Sequence, residues 1–202
     1  INVIDQMKLD GITLPALNAT AESVPIIQVT PESIDTKLNT LLNQTTTLDK
    51  NVVTGQFVTP IQLDLSGSVS AERFEELTKL VENNQVAFGD HYTWSSYNPT
   101  TRKVIYTQKA DKLTIMDGSS QIIFTINLND QVVSYEQIFA GTVQVLGKER
   151  ELITAQRAVE ILYLGGRINS KSTVQSVKLS YYKSLVLKDF SIYSPAWYIE
   201  IR

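Results

Sequence analysis

From Val86 to Arg202 the chain alternates apolar and polar residues, and turn-forming pairs interrupt the alternation at short intervals. Successive side chains of a strand point to opposite faces, so this pattern commits the larger part of the chain to half-buried β-strands. Val86, Phe88, Tyr92 and Trp94 are assigned to one face, with Ala87, Gly89, His91 and Thr93 on the other. Asn98-Pro99 predicts a turn, after which Val104 and Tyr106 carry the next strand. Asp117-Gly118 predicts a hairpin between Leu113–Met116 and Ile122–Ile126, and Asn129-Asp130 a second one leading into Val132–Ile138. A short strand is expected at Val143 and Val145. Val177, Leu179 and Tyr181 alternate again, followed by Leu185 to Tyr193 and by Trp197, Ile199 and Ile201.

Three helices are expected between these strands. Thr30-Pro31-Glu32 has the cap, first-position proline and first-turn acid of a helix start, and Ile34, Leu38, Leu41 and Leu42 would form its buried face. A β-like stretch follows from Val52 to Leu65, broken by Gly55 and Pro60. The second helix runs from about Ser70 to Asn83, with Phe74, Leu77, Leu80 and Val81 as its stripe and Glu75–Lys79 as an oriented i, i+4 pair. The third opens at Thr154, carries Ala155, Ala158, Val159, Ile161 and Leu162, and stops at Gly165-Gly166.

The fold class that follows is α+β, mainly antiparallel β, and sandwich-like. Helix followed by antiparallel strands occurs twice, and Ala71-Glu72-Arg73 has an echo in Ala155-Gln156-Arg157, which suggests an internal duplication. The expected division is an N-terminal arm over 1–29, a helix-plus-meander subdomain over 30–147, and a second helix-plus-β subdomain over 148–202. The last is expected to be incomplete, which would leave Trp197–Ile201 as an exposed apolar edge.

Composition removes several chemistries. There is no cysteine, which excludes disulfides, thiol nucleophiles and zinc-thiolate or iron–sulfur sites. The single histidine, His91, excludes a two-histidine metal site. A net charge of −3 without a basic block argues against gripping nucleic-acid phosphates. No run approaches the roughly 18 apolar residues of a membrane span. The phosphate-cradling glycine patterns are absent, so Gly165-Gly166 reads as a helix stop.

Two arrangements invite a catalytic reading. Ser180-Tyr181-Tyr182-Lys183 matches S-x-x-K, but that motif needs a helical turn to put serine and lysine on one face. A spacing of three on a strand sets them on opposite faces. Asp90-His91 has no G-x-S-x-G partner and reads as a solvated or cross-strand pair. Glu75-Glu76 and Glu149 with Glu151 read as solvated faces rather than an acid/base pair. The aromatics of two clusters, Tyr92, Trp94, Tyr97 and Tyr106, then Tyr181, Tyr182, Tyr193, Trp197 and Tyr198, are either cross-strand packing or a partner surface. No catalytic, cofactor-binding or metal-binding residue is assigned, and no cofactor is expected.

The last third carries a resemblance. Ala158-Val159-Glu160-Ile161-Leu162-Tyr163, then Leu179-Ser180-Tyr181-Tyr182, then Pro195-Ala196-Trp197-Tyr198-Ile199 resemble the YycI (WalI) family of Gram-positive bacteria in kind, order and spacing. Met7 to Pro15 is similar to the stretch after the membrane anchor of such proteins. Ser180 stands where that family usually has glycine, and Gln156-Arg157 shifts a basic residue by one. The resemblance implies a non-enzymatic regulatory domain outside the membrane, held by an N-terminal helix upstream of Ile1. Its implied partners are a YycH-type sister protein and the sensor histidine kinase YycG (WalK), which signals to YycF (WalR) in the control of cell-wall metabolism. A homodimer is a further partner state to be expected, and a small-ligand-binding β-domain for wall fragments and a hydrolase using Ser180 and Lys183 are the alternatives.

Overall fold

A computed structural model describes residues 1–202. The chain forms two antiparallel sheets. The helices are α1 (Val3–Leu9), α2 (Asp35–Leu38), α3 (Glu75–Glu82) and α4 (Ala155–Leu164). The strands are β1 (Ser23–Thr30), β2 (Gln44–Asp49), β3 (Val52–Gln62), β4 (Tyr92–Asn98), β5 (Lys103–Ala110), β6 (Leu113–Thr114), β7 (Gln121–Ile126), β8 (Gln131–Ile138), β9 (Thr142–Glu151), β10 (Val174–Val186) and β11 (Ser191–Ile201). The mainly antiparallel α+β architecture is the one that the alternation predicts.

The larger sheet runs β2-β3-β8-β7-β5-β4, with β6 attached to β5. Its inward face and α3 enclose one cluster of fifteen buried apolar residues, in which Phe57, Phe124 and Tyr135 are ring neighbours. Gly55 passes directly over the Tyr135 ring, where a Cβ would come within 2.2 Å of a ring carbon. The predicted second helix is present as a 3-10 turn, Ala71–Phe74, leading into α3. Asn98-Pro99 and Asn129-Asp130 make the expected hairpins β4-β5 and β7-β8.

The smaller sheet runs β10-β11-β1-β9. It gathers strands from both ends of the chain. The segment expected as an arm over 1–29 is therefore built into the fold: α1 buries Met7 against α4, and β1 is an inner strand between β11 and β9. Likewise β9 runs through the expected boundary at 147/148 and pairs with β1. Pairing between distant segments, not local pattern, decided both points.

Other expectations shift locally. The helix expected from Thr30 shrinks to the single turn α2, because Thr30 ends β1; Leu42 is exposed and Thr45–Thr47 belong to β2. The alternation at Val86–Trp94 breaks at Phe88, whose φ of 56° is left-handed, and the strand starts only at Tyr92. The Asp117-Gly118 hairpin does not form. β6 turns back on β5 through Asp111-Lys112, and Ile115 bridges to Tyr181 of the other sheet. The strand expected at Val143 and Val145 extends over the whole of β9.

The two sheets meet at β6. Ala110 and Ile115 enter the cluster formed by Val24, Ile27, Val29, Tyr181 and Tyr193. The Lys183 N–H donates to the Asp117 carboxylate over 2.7 Å, and the Ser119 and Tyr193 hydroxyls lie 2.7 Å apart. The Gln108 amide donates to the Gly141 carbonyl over 2.8 Å. Gly141 has φ of 128°, and a Cβ there would come within 1.9 Å of the Thr30 carbonyl oxygen, so this crossing of the two connections admits only glycine.

A groove around Trp197 as the candidate functional site

The groove starts from the composition of α4. Thr154 caps the helix by accepting a hydrogen bond from the Arg157 N–H over 3.0 Å, as its position before the apolar stripe predicts. Ala155, Ala158, Val159 and Leu162 follow at i, i+3, i+4 and i+7; Val159 and Leu162 pack with Met7 of α1 and with Val174 and Ile199 of the β10-β11 hairpin, and Ala158 and Leu162 also border the groove. Ile161 lies off that stripe and is 45% exposed. One helix face is thus used in the core, and a second apolar residue is left toward solvent.

The strands supply the opposite wall. β11 pairs with β10 along its whole length, from Ser191 opposite Val186 to Ile201 opposite Val174. On its other side it pairs with β1 only over Ser191–Tyr193. Pro195 follows where β1 has left it, a position that suits a residue with no N–H to give to a ladder. The expected exposed edge at Trp197–Ile201 therefore exists on one side only. β1 continues with β9 as its partner, and the sheet forks.

The fork holds an open groove of about 530 Å³. Its walls are Leu152 and Ile153 at the exit of β9, Ile161 and Leu162 of α4, and Trp197 and Ile199 of β11. The Trp197 indole N–H donates to the Ile153 carbonyl over 2.8 Å, which fixes the ring across the fork. Glu151 is the one ionisable residue in the lining. Trp197 also borders a second groove of about 490 Å³, rimmed by Glu22, Lys112 and Lys178.

The residues weighed for catalysis are not brought together. Ser180 is buried on β10, and its hydroxyl donates to the Ala196 carbonyl over 3.3 Å. Lys183 is exposed further along the strand. His91 lies in a 3-10 turn of the other half of the molecule, 3.8 Å from Asp90 and edge-on to Phe88 and Phe139. No group of three or more His, Cys, Asp or Glu side chains is arranged to hold a metal ion.

Most of the aromatic clusters are packing. Tyr92, Tyr106, Tyr181 and Tyr193 are buried, while Trp94 and Tyr97 lie against Phe74. Burial holds the hydroxyl protons: Tyr181 is pushed up to about 12, with Asp111 and Glu149 adding to the desolvation, and Tyr193 is pushed up to about 12 by desolvation, aided by nearby Asp117 and opposed by its bond to Ser119. Tyr163 is raised by its hydrogen bond to the Asp10 carboxylate, a contact that ties α4 to the end of α1. Of the aromatics named from the sequence, Trp197 lines the groove at the fork, while Tyr182 and Tyr198 lie exposed. Ile153 and Ile161 were legible only as the excess of apolar residues around α4 over what one buried stripe uses.

Three comparisons bear on the whole chain. The family model described as YycI protein matches residues 2–202. No curated protein matches the chain. Among solved structures, an uncharacterized protein from Eubacterium rectale is similar, with a TM-score of 0.46 and 11% sequence identity, over 95% of this chain and 82% of that one.

Proposed function

Because this chain belongs to the YycI family, a regulatory and non-catalytic family tied to the YycFG two-component system, we propose that it modulates the YycG (WalK) sensor kinase by binding protein partners outside the membrane. The partners are a YycH-type sister protein and the extracytoplasmic part of the kinase. Such a regulator shifts the kinase only if it binds one signalling state more tightly than the other. No helix of the chain is long and apolar enough to cross a membrane; the anchor of this reading lies upstream of Ile1.

The observation that carries the reading is the match over residues 2–202, and the groove at Trp197 agrees with it. Contiguous exposed apolar surface marks protein contacts. A small-ligand site of that volume gathers several polar groups to fix orientation, and this lining holds one ionisable residue, Glu151. The test is co-purification of the anchored protein with YycH and the kinase ectodomain in one membrane preparation. A ternary complex is expected, and the absence of any contact with all three anchors present overturns the reading.

A further inference from the structure

We propose that the groove takes an extended segment of a partner protein, which adds as a strand to the open side of β11 and sets a lysine or arginine against Glu151. This rests on the protein-binding reading above and names the surface and the chemistry of its occupant.

Three observations converge. First, β11 loses its β1 partner after Tyr193 but stays paired to β10 out to Ile201, so a supported strand offers one free side to a visitor. Strand addition to such a side uses main-chain hydrogen bonds for affinity and alternate side-chain pockets for selection. Second, Ile153, Ile161 and Ile199 flank that side with apolar surface for every other residue of the visitor. Third, the charge is one-sided. Glu151 has no ion-pair partner within 4.0 Å, whereas Glu160 nearby is matched by Arg157 at 3.6 Å and Glu149 by Lys112 at 3.8 Å. Arg150 precedes Glu151 on β9, and its side chain leaves from the opposite face of the strand. A carboxylate beside an apolar wall is best complemented by a cation that arrives with the partner.

The sheet's outer edges are less open. The outer side of β10 is met by Ile115 and Met116 at Tyr181 and by Asp117 at Lys183, and β9, the edge strand opposite, carries Lys148 and Arg150, charges that oppose edge pairing. The open side of β11 has no lysine from Pro195 to Ile201.

The experiment uses Trp197 fluorescence in a Trp94→Phe background. Trp94 donates no hydrogen bond from its buried indole nitrogen, so its replacement strands no partner. The probes are capped nonapeptides of alternating valine and threonine with a central lysine, the same peptide with a central glutamate, and the lysine peptide with a proline beside the lysine. The lysine peptide is expected to bind saturably, the glutamate peptide about tenfold more weakly, and the proline peptide not at all. Glu151→Lys is expected to reverse the preference, and Ile161→Asp to abolish binding while the melting temperature holds; Ile153→Asp serves if Ile161→Asp fails to fold. Equal binding of the lysine and glutamate peptides, full binding of the proline peptide, or no saturable binding of the lysine peptide overturns the proposal. A kinase or YycH complex that persists in Ile161→Asp refutes the groove as its site and leaves the regulator reading standing.

Discussion

The two sheets use similar strands to opposite ends. The larger one covers its inward face with α3 and closes a single cluster of fifteen buried apolar residues. The smaller one divides its apolar side chains between a cluster of seven at the β6 junction and a cluster of five beneath α1 and α4. Both contain strand, helix, outer strand and inner strand in that order, β3-α3-β4-β5 and β9-α4-β10-β11. In the larger sheet β8 and β7 fill the space between β3 and β5, so every inner strand has two partners. In the smaller sheet β1 alone fills it, and β1 leaves β11 after three paired residues. One missing length of pairing separates a sealed core from a fork with a groove in it. Pairing also lapses in the larger sheet, between Gln56 and Ile61 of β3, but its core is closed by α3, whereas the lapse along β11 opens a groove.

The largest test of this contrast is Phe124→Ala, which empties the middle of the sealed cluster. It should cost about 3–5 kcal/mol, measured by urea unfolding, because neighbours on a sheet face relax poorly into a cavity. A cost below about 1 kcal/mol would show that the larger sheet is not the tighter of the two.

The next effect is alkaline. Tyr181 and Tyr193 hold their protons to about 12, against about 10 for an exposed phenol, and Tyr92, Tyr106 and Tyr135 are raised further by burial in the larger sheet. The folded state binds these protons more tightly than the unfolded chain, so their contribution is complete below pH about 10 and falls away as pH rises through the folded values. Urea unfolding from pH about 9 to 12 should therefore show stability falling once pH passes about 10, with three such phenols contributing in the larger sheet and two in the smaller. Tyr193→Phe should flatten that loss. Stability that stays level between pH about 10 and 12 would sink this linkage.

The smallest effect is a control on the surface. Glu75→Ala removes the exposed Lys79 pair at 3.2 Å and should change stability by about 0.3 kcal/mol. A change above about 1 kcal/mol would mean that α3 depends on its surface charges more than on Leu77 and Val81 beneath it.

Local signals were legible because their physics is local. Thr154 caps α4 through its own third neighbour, Gly166 takes a φ of 72° after it, and Asn129-Asp130 turns the chain within four residues. The segment Ser23–Thr30 reads poorly because Pro25 interrupts it and its partners, at 142–151 and 191–193, are far along the chain. The Thr30-Pro31-Glu32 signature is a sound helix start, yet β1 claims Thr30 and only the single turn α2 survives. The same holds for the groove. Trp197 is legible only as one of the clustered aromatics, and Ile153 and Ile161 join it at the fork through the fold.

By itself the sequence determined the mainly antiparallel β class, the capped start of α4, the family and the absence of thiol and two-histidine metal chemistry, since each of these follows from neighbouring side chains or from residues that are simply not there. Tertiary structure decided that β1 lies between β11 and β9, that β6 joins the sheets, and that a groove opens at Trp197. Those outcomes depend on how far remote strands stay paired, a property of segments more than a hundred residues apart that neither strand's own pattern carries.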